Sequence, residues 1–243
     1  MEGKRTGRAK AGFWAVATCL LWVSGATMGR AQDLTAAQVF EKFRGVYLKT
    51  NTVAAVFNET TIMDGQERKA RGRLLFKKPN LLVQEYFDPK DPGTVVQRIV
   101  LDGQMSWSHT PWLNQVTRKA IDPKHSRELL PGSGENFEKL PQSFSMSLKE
   151  DEITREKNLY LLRLDPKPNG KNADQTEYLE VWIRRKDWLP LQFAYTNKTN
   201  DVVTIVSFDD MKLNVTPPKD AFKFSPPPGV EIVTIKDDYK SDR

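Results

Sequence analysis

A single cysteine and two histidines are all the thiol and imidazole chemistry that this 243-residue sequence contains, and each shortage closes off a class of function. Cys19 sits in an apolar run near the N-terminus. From residue 32 onward the chain has no thiol, which excludes disulfide cross-links and cysteine nucleophiles from that stretch. Beside His109 and His125 there is no glycine-rich phosphate loop, no nucleophile-elbow sequence and no metal-spaced cluster, so the recurrent signatures of catalysis are missing. His109 continues the apolar side of its segment, where a satisfied rim or core histidine is the ordinary reading, and a zinc site would need partners that the sequence does not supply. Acidic runs are present in Glu150-Asp151-Glu152 and Asp209-Asp210. Two carboxylates can serve a glycosidase, but such runs are more often solvated faces or turns. The sequence reads as a binding protein rather than an enzyme, with no cofactor and no metal implied.

Charge of one sign is also scarce once the first 31 residues are set apart. They begin with Lys4, Arg5, Arg8 and Lys10, continue through an apolar stretch from Phe13 to Val23, and end with Gly29 and Ala31 three and one places before Gln32. That is the layout of a secretory signal peptide whose apolar core is too short to span a membrane comfortably; Ser24 and Ala26 offer a second cleavage position. Cys19 follows Thr18 inside the apolar run, so an N-terminal lipid anchor is not expected. The leader removes five basic residues and one acidic residue, so the chain's 37 basic and 31 acidic residues fall to 32 and 30, a net +2 in place of +6. A surface so nearly balanced gives no electrostatic reason to expect nucleic acid as a partner. The expected organisation is a cleaved leader over residues 1–31 and one domain over residues 32–243, a length usual for a single large β domain.

What is present is periodicity. Thr35 followed by Gln38 forms a capping box, and Leu34 is placed to staple against Val39. Val39, Phe40, Phe43, Val46 and Tyr47 then recur at helical spacing, predicting a helix with one core-facing stripe that ends near Asn51. From Val53 the period becomes two. Met105, Trp107 and His109 alternate with polar neighbours, as do Leu179, Val181 and Ile183, and Leu191, Phe193 and Tyr195; each reads as a strand with one apolar face. Further strands are predicted over Arg71 to Phe76, Leu81 to Phe87, Val95 to Leu101, Leu159 to Leu164, Val202 to Phe208 and Met211 to Val215. Turn signals separate them at Asp64-Gly65, Asp102-Gly103, Asn169-Gly170, Asp187 to Pro190 and Asn200-Asp201. No βαβ alternation appears, which argues against a parallel sheet.

One segment, Ser126 to Leu148, breaks this rhythm. Arg127 to Leu130 reads as a short helix, while Pro131, Gly132, Gly134 and Pro141 punctuate the rest. It is either a lid or plug or a long surface connection; Leu129, Leu130, Phe137, Leu140 and Phe144 favour inward packing. About ten antiparallel strands sharing one apolar face must curl or be covered. A mainly β, unclosed antiparallel barrel with the N-terminal helix and a helical lid inside or over its mouth meets that need, and its interior is either filled with side chains or open to a ligand.

Three stretches carry a family resemblance. Arg71 to Asp88, RGRLLFKKPNLLVQEYFD, has a Gly-x-Leu strand, a basic-Pro-Asn turn and an aromatic strand leading to Asp-Pro. Val100 to Thr117 has an Asp-Gly-x-x-x-Trp hairpin and a Gln-Val step, and Phe222 to Val233 reads FKFSPPPGVEIV. Together, in this order, they resemble the outer-membrane lipoprotein carrier (LolA) family over roughly Leu34 to Val233. The resemblance implies a periplasmic carrier, monomeric, whose apolar cavity receives lipoprotein acyl chains. It takes acylated lipoproteins from an inner-membrane ATP-driven releasing complex and passes them to an outer-membrane receptor. The cavity residues expected are Val46, Phe57, Leu75, Phe76 and Trp107, with Leu129 and Leu130 from the lid; each is equally readable as plain core. The family's gate is an arginine before the Pro-Asn turn; here that place holds Lys78, a point charge in place of a planar fork. The alternative is a lipid-binding or lipid-sensing regulatory protein of the same fold with another lipid cargo.

Overall fold

The computed structural model describes residues 34–121, 140–168, 176–197 and 201–236; the proposed leader, Leu129, Leu130 and Phe137 lie outside them. Residues from Leu34 onward form one compact unit. It opens with helix α1, Ala36–Lys49, whose N-terminus carries the expected reciprocal box: the Thr35 hydroxyl accepts from the Gln38 amide, and the Gln38 side chain accepts from the Thr35 amide. The helix stops at Lys49, two residues before Asn51, with Thr50 as its extended C-cap.

The remaining elements build one sheet. Its strands in chain order are β1 (Thr52–Met63), β2 (Gln66–Lys77), β3 (Leu81–Phe87), β4 (Val95–Asp102), β5 (Met105–Thr110), β6 (Gln115–Ala120), β7 (Phe144–Lys149), β8 (Leu159–Pro166), β9 (Thr176–Arg184), β10 (Pro190–Asn197), β11 (Val202–Leu213) and β12 (Glu231–Ile235). Across the sheet the order is β12-β6-β5-β4-β3-β2-β1-β11-β10-β9-β8-β7, so the two edges, β12 and β7, are not joined and the barrel is unclosed.

Three details differ from the sequence reading. Val202 to Val215 holds one strand where two were expected: β11 runs unbroken to Leu213, and a bulge opposite Ala54 and Val56, with Asp210 in the left-handed region at φ 47°, absorbs the irregularity. The second half of the expected lid segment is a short helix, α2 (Leu140–Ser143), followed by edge strand β7, and Leu140 and Phe144 are fully buried. Pairing is antiparallel throughout except for β12, which lies parallel to β6.

Register fixes the two faces of the sheet, because directly opposed residues share a side and neighbours along a strand do not. The row Phe144–Pro166 and the pairs Leu162–Val181, Val181–Phe193, Phe193–Val206, Phe57–Phe208 and Phe57–Gly72 all fall on one side. Val39, Phe40 and Phe43 of α1 pack there against Leu162, Leu164, Leu179, Val181, Ile183 and Phe193; we call it the helix face. The back face carries Leu159, Leu161, Trp182 and Ala194, beside helix α3 (Glu152–Glu156).

Gly72, from the Gly-x-Leu stretch, has a steric reason to be glycine. A Cβ there would overlap the Glu85 carbonyl oxygen and the ring of Phe57. The bare backbone lets Phe57 lie across β2 and meet the Tyr86 ring edge-on, with centroids 5.2 Å apart. Gly72→Ala is expected to lower the free energy of urea unfolding by about 2 kcal/mol through overpacking; an unchanged unfolding midpoint would contradict this placement.

Candidate functional site

The helix face is unevenly filled. Over β7 to β10 it is sealed by α1, with Phe43 against Phe193 at 6.4 Å between ring centroids. Over β1 to β5 the same face presents Val53, Ala55 and Phe57, then Leu74 and Phe76, Leu82, and Ile99 and Leu101, as the pairs Val53–Phe76, Ala55–Leu74, Phe76–Leu82 and Leu82–Leu101 require. Phe57 and Leu82 are buried, but Leu74, Phe76, Ile99 and Leu101 are only half-buried. The face is concave. Helix α1 meets both limbs of it: Phe43 packs on Phe193 of β10, while Lys78, at the β2–β3 turn three strand spacings away, roughly 14 Å in a flat sheet, donates to the carbonyl of Tyr47 one helical turn on.

Toward the β1–β2 hairpin this face turns polar. The Tyr86 hydroxyl donates to Glu59 Oε2 at 3.0 Å and accepts from Gln84 Nε2 at 2.8 Å, and Gln97 Nε2 donates to the Ser108 hydroxyl at 3.1 Å. Burial, then the Glu59 carboxylate beside it, pushes the Tyr86 phenol well above its ordinary pKa, so Tyr86 stays protonated and a donor at any physiological pH.

The residues expected to line a cavity divide between the faces. Phe57 and Phe76 are on the helix face, and Val46 is half-buried in the last turns of α1, which covers that face. Leu75 and Trp107 are on the back face, joined through the row Leu75–Val83–Val100–Trp107. Adjacent residues Leu75 and Phe76 cannot line one cavity from one strand, which corrects the expectation that they do so together. Sequence alternation within each strand was visible, but the pairing that says which parity faces α1 was not. Gln84, Tyr86 and Glu59, which the sequence reading passed over, share the helix face; alternation from Phe57 to Glu59 and from Leu82 to Tyr86 would have found them.

Trp107 has a structural role on its face. Its indole N–H donates to Asp102 Oδ2 at 2.8 Å, while Asp102 Oδ1 accepts from the Gln104 and Met105 amides at 2.9 and 2.7 Å. Asp102 thus ties the β4–β5 hairpin to the indole, which explains the Asp-Gly-x-x-x-Trp spacing. Phe224 of the C-terminal stretch then covers Trp107 and His109, at ring-centroid distances of 5.5 and 6.1 Å. His109 is a half-buried packing residue.

Lys78, at a cis Lys78–Pro79 bond, reaches the other end of the concave face. Its ammonium donates to the Tyr47 carbonyl and, at 3.3 Å, to the Leu48 carbonyl, and lies 4.3 Å from the centre of the Tyr47 ring. The Tyr47 carbonyl also accepts the Thr50 amide that caps α1, and a cation at this end of the helix suits the helix dipole. No group of three or more metal-ligating side chains occurs among the described residues, and no helix among them is long and apolar enough to cross a membrane.

Burial by itself would raise the Asp102 pKa, but hydrogen bonds from the Met105 amide, the Trp107 indole and the Gln104 amide outweigh it and hold the carboxyl below its ordinary value. A depressed folded-state pKa gives stability that is present above the unfolded value and lost as pH falls through the folded one. Asp102→Asn is therefore expected to cost about 1 kcal/mol at neutral pH, with the gap from wild type closing below about pH 4 in urea titrations. A gap that does not change with pH would contradict the assignment.

The sequence matches the family described as outer membrane lipoprotein carrier protein LolA over residues 48–225. It is 29% identical over 188 residues to an outer-membrane lipoprotein carrier protein of Chromobacterium violaceum, an alignment covering 76% of this chain and 82% of that one. With the carrier of Pseudomonas aeruginosa strain PAO1 it shares 26% over 223 residues, covering 86% and 92%. It is also 25% identical over 206 residues to an uncharacterized protein of Methanocaldococcus jannaschii, with 85% of this chain aligned but spanning only 56% of that longer relative. Among solved structures, a LolA superfamily protein from Nitrosomonas europaea is similar with a TM-score of 0.39 and 16% identity, over 79% of this chain and 99% of that one.

Proposed function

Because the chain belongs to the LolA family of outer membrane lipoprotein carrier proteins, we propose that it is a periplasmic carrier that holds lipoprotein acyl chains against the concave helix face and moves them from the inner to the outer membrane. Residues 1–31 would direct export and be removed, leaving residues 32–243 as the working domain. The carrier would receive acylated lipoproteins from an inner-membrane ATP-driven complex, deliver them to an outer-membrane receptor, and act as a monomer without catalysis.

The observation that supports this reading is the contrast along one face. Where α1 lies on β7 to β10 the core is closed, but over β1 to β5 Leu74, Phe76, Ile99 and Leu101 remain half-buried. A long acyl chain exposed to water costs on the order of ten kcal/mol, at about 0.8 kcal/mol per CH₂, so a soluble shuttle needs such a surface. Val46, Phe57 and Phe76 remain its proposed lining; Leu129 and Leu130, also expected there, lie outside the described residues. In the same reading Lys78 holds the end of α1 and so sets how firmly the mouth is kept. Carrying must be reversible, and an apolar lining without specific polar grips on the chains suits release.

The protein purified from the periplasm without detergent is expected to release acylated lipoproteins from spheroplasts as a soluble one-to-one complex, detected by mass spectrometry. Phe76→Asp is expected to reduce that release at least tenfold. A wild-type protein that releases no lipoprotein and carries no lipid would overturn the proposal.

A further inference from the structure

Among the described residues no ion pair reaches Glu59. On its own face it is flanked across the ladders by Ala70 on β2 and Val206 on β11, and along β1 by Phe57 and Thr61. Its hydrogen bond comes from the Tyr86 hydroxyl, to Oε2; Oε1 has no partner among the described residues. A carboxylate on this face with an acceptor oxygen to spare offers a cationic or N–H-bearing ligand a charge-assisted hydrogen bond. Gln84, held by Tyr86 through one amide hydrogen, keeps its carbonyl oxygen as a further acceptor.

Beside Glu59 the sheet also opens. The β2–β3 ladder ends at the Gly72–Tyr86 pair, and beyond it β2 continues while the chain after Phe87 turns away. The resulting cleft, of about 240 Å³, is reached from the helix face by Glu59 and Ala70 but is lined mainly from the back face, by Asn58, Thr60, Lys69 and Arg71. The apolar half of the concave face, around Leu74 and Phe76, lies on the opposite side of Glu59 from the β1–β2 hairpin.

We propose that the concave face binds its cargo in one orientation, with the amine- or amide-bearing head of a diacylated lipopeptide at Glu59, Tyr86 and Gln84, its acyl chains toward Leu74 and Phe76, and its peptide leaving through the cleft between β2 and β3. This rests on the carrier reading above and adds a preference for the head group. An anionic phosphate head is disfavoured on this face, because it meets the Glu59 carboxylate, to which the Tyr86 hydroxyl already gives its proton, and finds there the second Gln84 amide hydrogen as donor, while Lys69 and Arg71 lie on the other face.

Binding of a short dipalmitoylglyceryl-cysteinyl peptide with a free amino terminus is compared with binding of dipalmitoyl phosphatidylglycerol, by displacement of a fluorescent fatty acid from the purified protein. The wild type is expected to prefer the lipopeptide at least tenfold, and Glu59→Gln to remove most of that preference while leaving affinity for phosphatidylglycerol unchanged or raised. Gln84→Ala, at a half-buried position, is expected to weaken lipopeptide binding several-fold and serves if Glu59→Gln does not fold. Equal wild-type affinity for the two lipids, or a preference that survives both variants, overturns the head-group site and leaves the carrier reading standing. Binding of neither lipid overturns both.

Discussion

The strict alternation of side chains along each strand, carried from strand to strand by hydrogen-bond register, is the constraint on which the rest of this structure depends. It joins Phe144 on one edge strand to Leu82 and Leu101 near the other through an unbroken chain of opposed residues. It therefore decides which apolar residues meet α1 and which meet the C-terminal stretch. A slip of one residue in the β1–β2 ladder would put Leu75 in place of Phe76 beside Val53 on the concave face. The bulge at Asp210 and Met211, opposite Ala55, takes up a register shift between β1 and β11, and Gly72 admits the Phe57 ring over β2.

Both faces of the sheet are partly covered, and differently. On the back face, indoles are tied by carboxylates: Trp107 to Asp102, and Trp182 to Asp151, whose other oxygen accepts from the Thr154 amide at the start of α3. These bonds satisfy the polar atoms of large side chains that pack there. On the helix face the packing is closed by α1 at one end and graded at the other, from Phe76 through Leu74, with Gln84 opposite it, and Phe57, level with Tyr86, to Glu59. Such a gradient matches a molecule that is itself apolar at one end and polar at the other.

Much of this was legible in the chain. The Thr35–Gln38 box and the stripe from Val39 to Phe43 located α1, and the Asp102-Gly103 turn with the alternation of Met105, Trp107 and His109 located the β4–β5 hairpin, because each signal is local. The family resemblance, carried on Gly72, on Asp102-Gly103 with Trp107 and on Phe222 to Val233, agreed with the match over residues 48–225. What could not be read was long-range. Leu75 and Phe76 are both apolar, and only pairing with β1 and β3 separates them. Phe144 looked like part of a ragged insert because its strand is a short edge. Alternation puts Glu59, Gln84 and Tyr86 on the apolar side of their strands, but that they meet could not be read, because they come from β1 and β3, 25 residues or more apart.

The central claim is that cargo occupies the helix face between β1 and β5. Photo-crosslinking of a bound diazirine-bearing fatty acid, mapped by peptide mass spectrometry, tests it most directly. The account predicts label on Leu74, Phe76, Ile99 and Leu101. Label concentrated on Leu75, Val83 and Trp107 would place the cargo on the back face and contradict it.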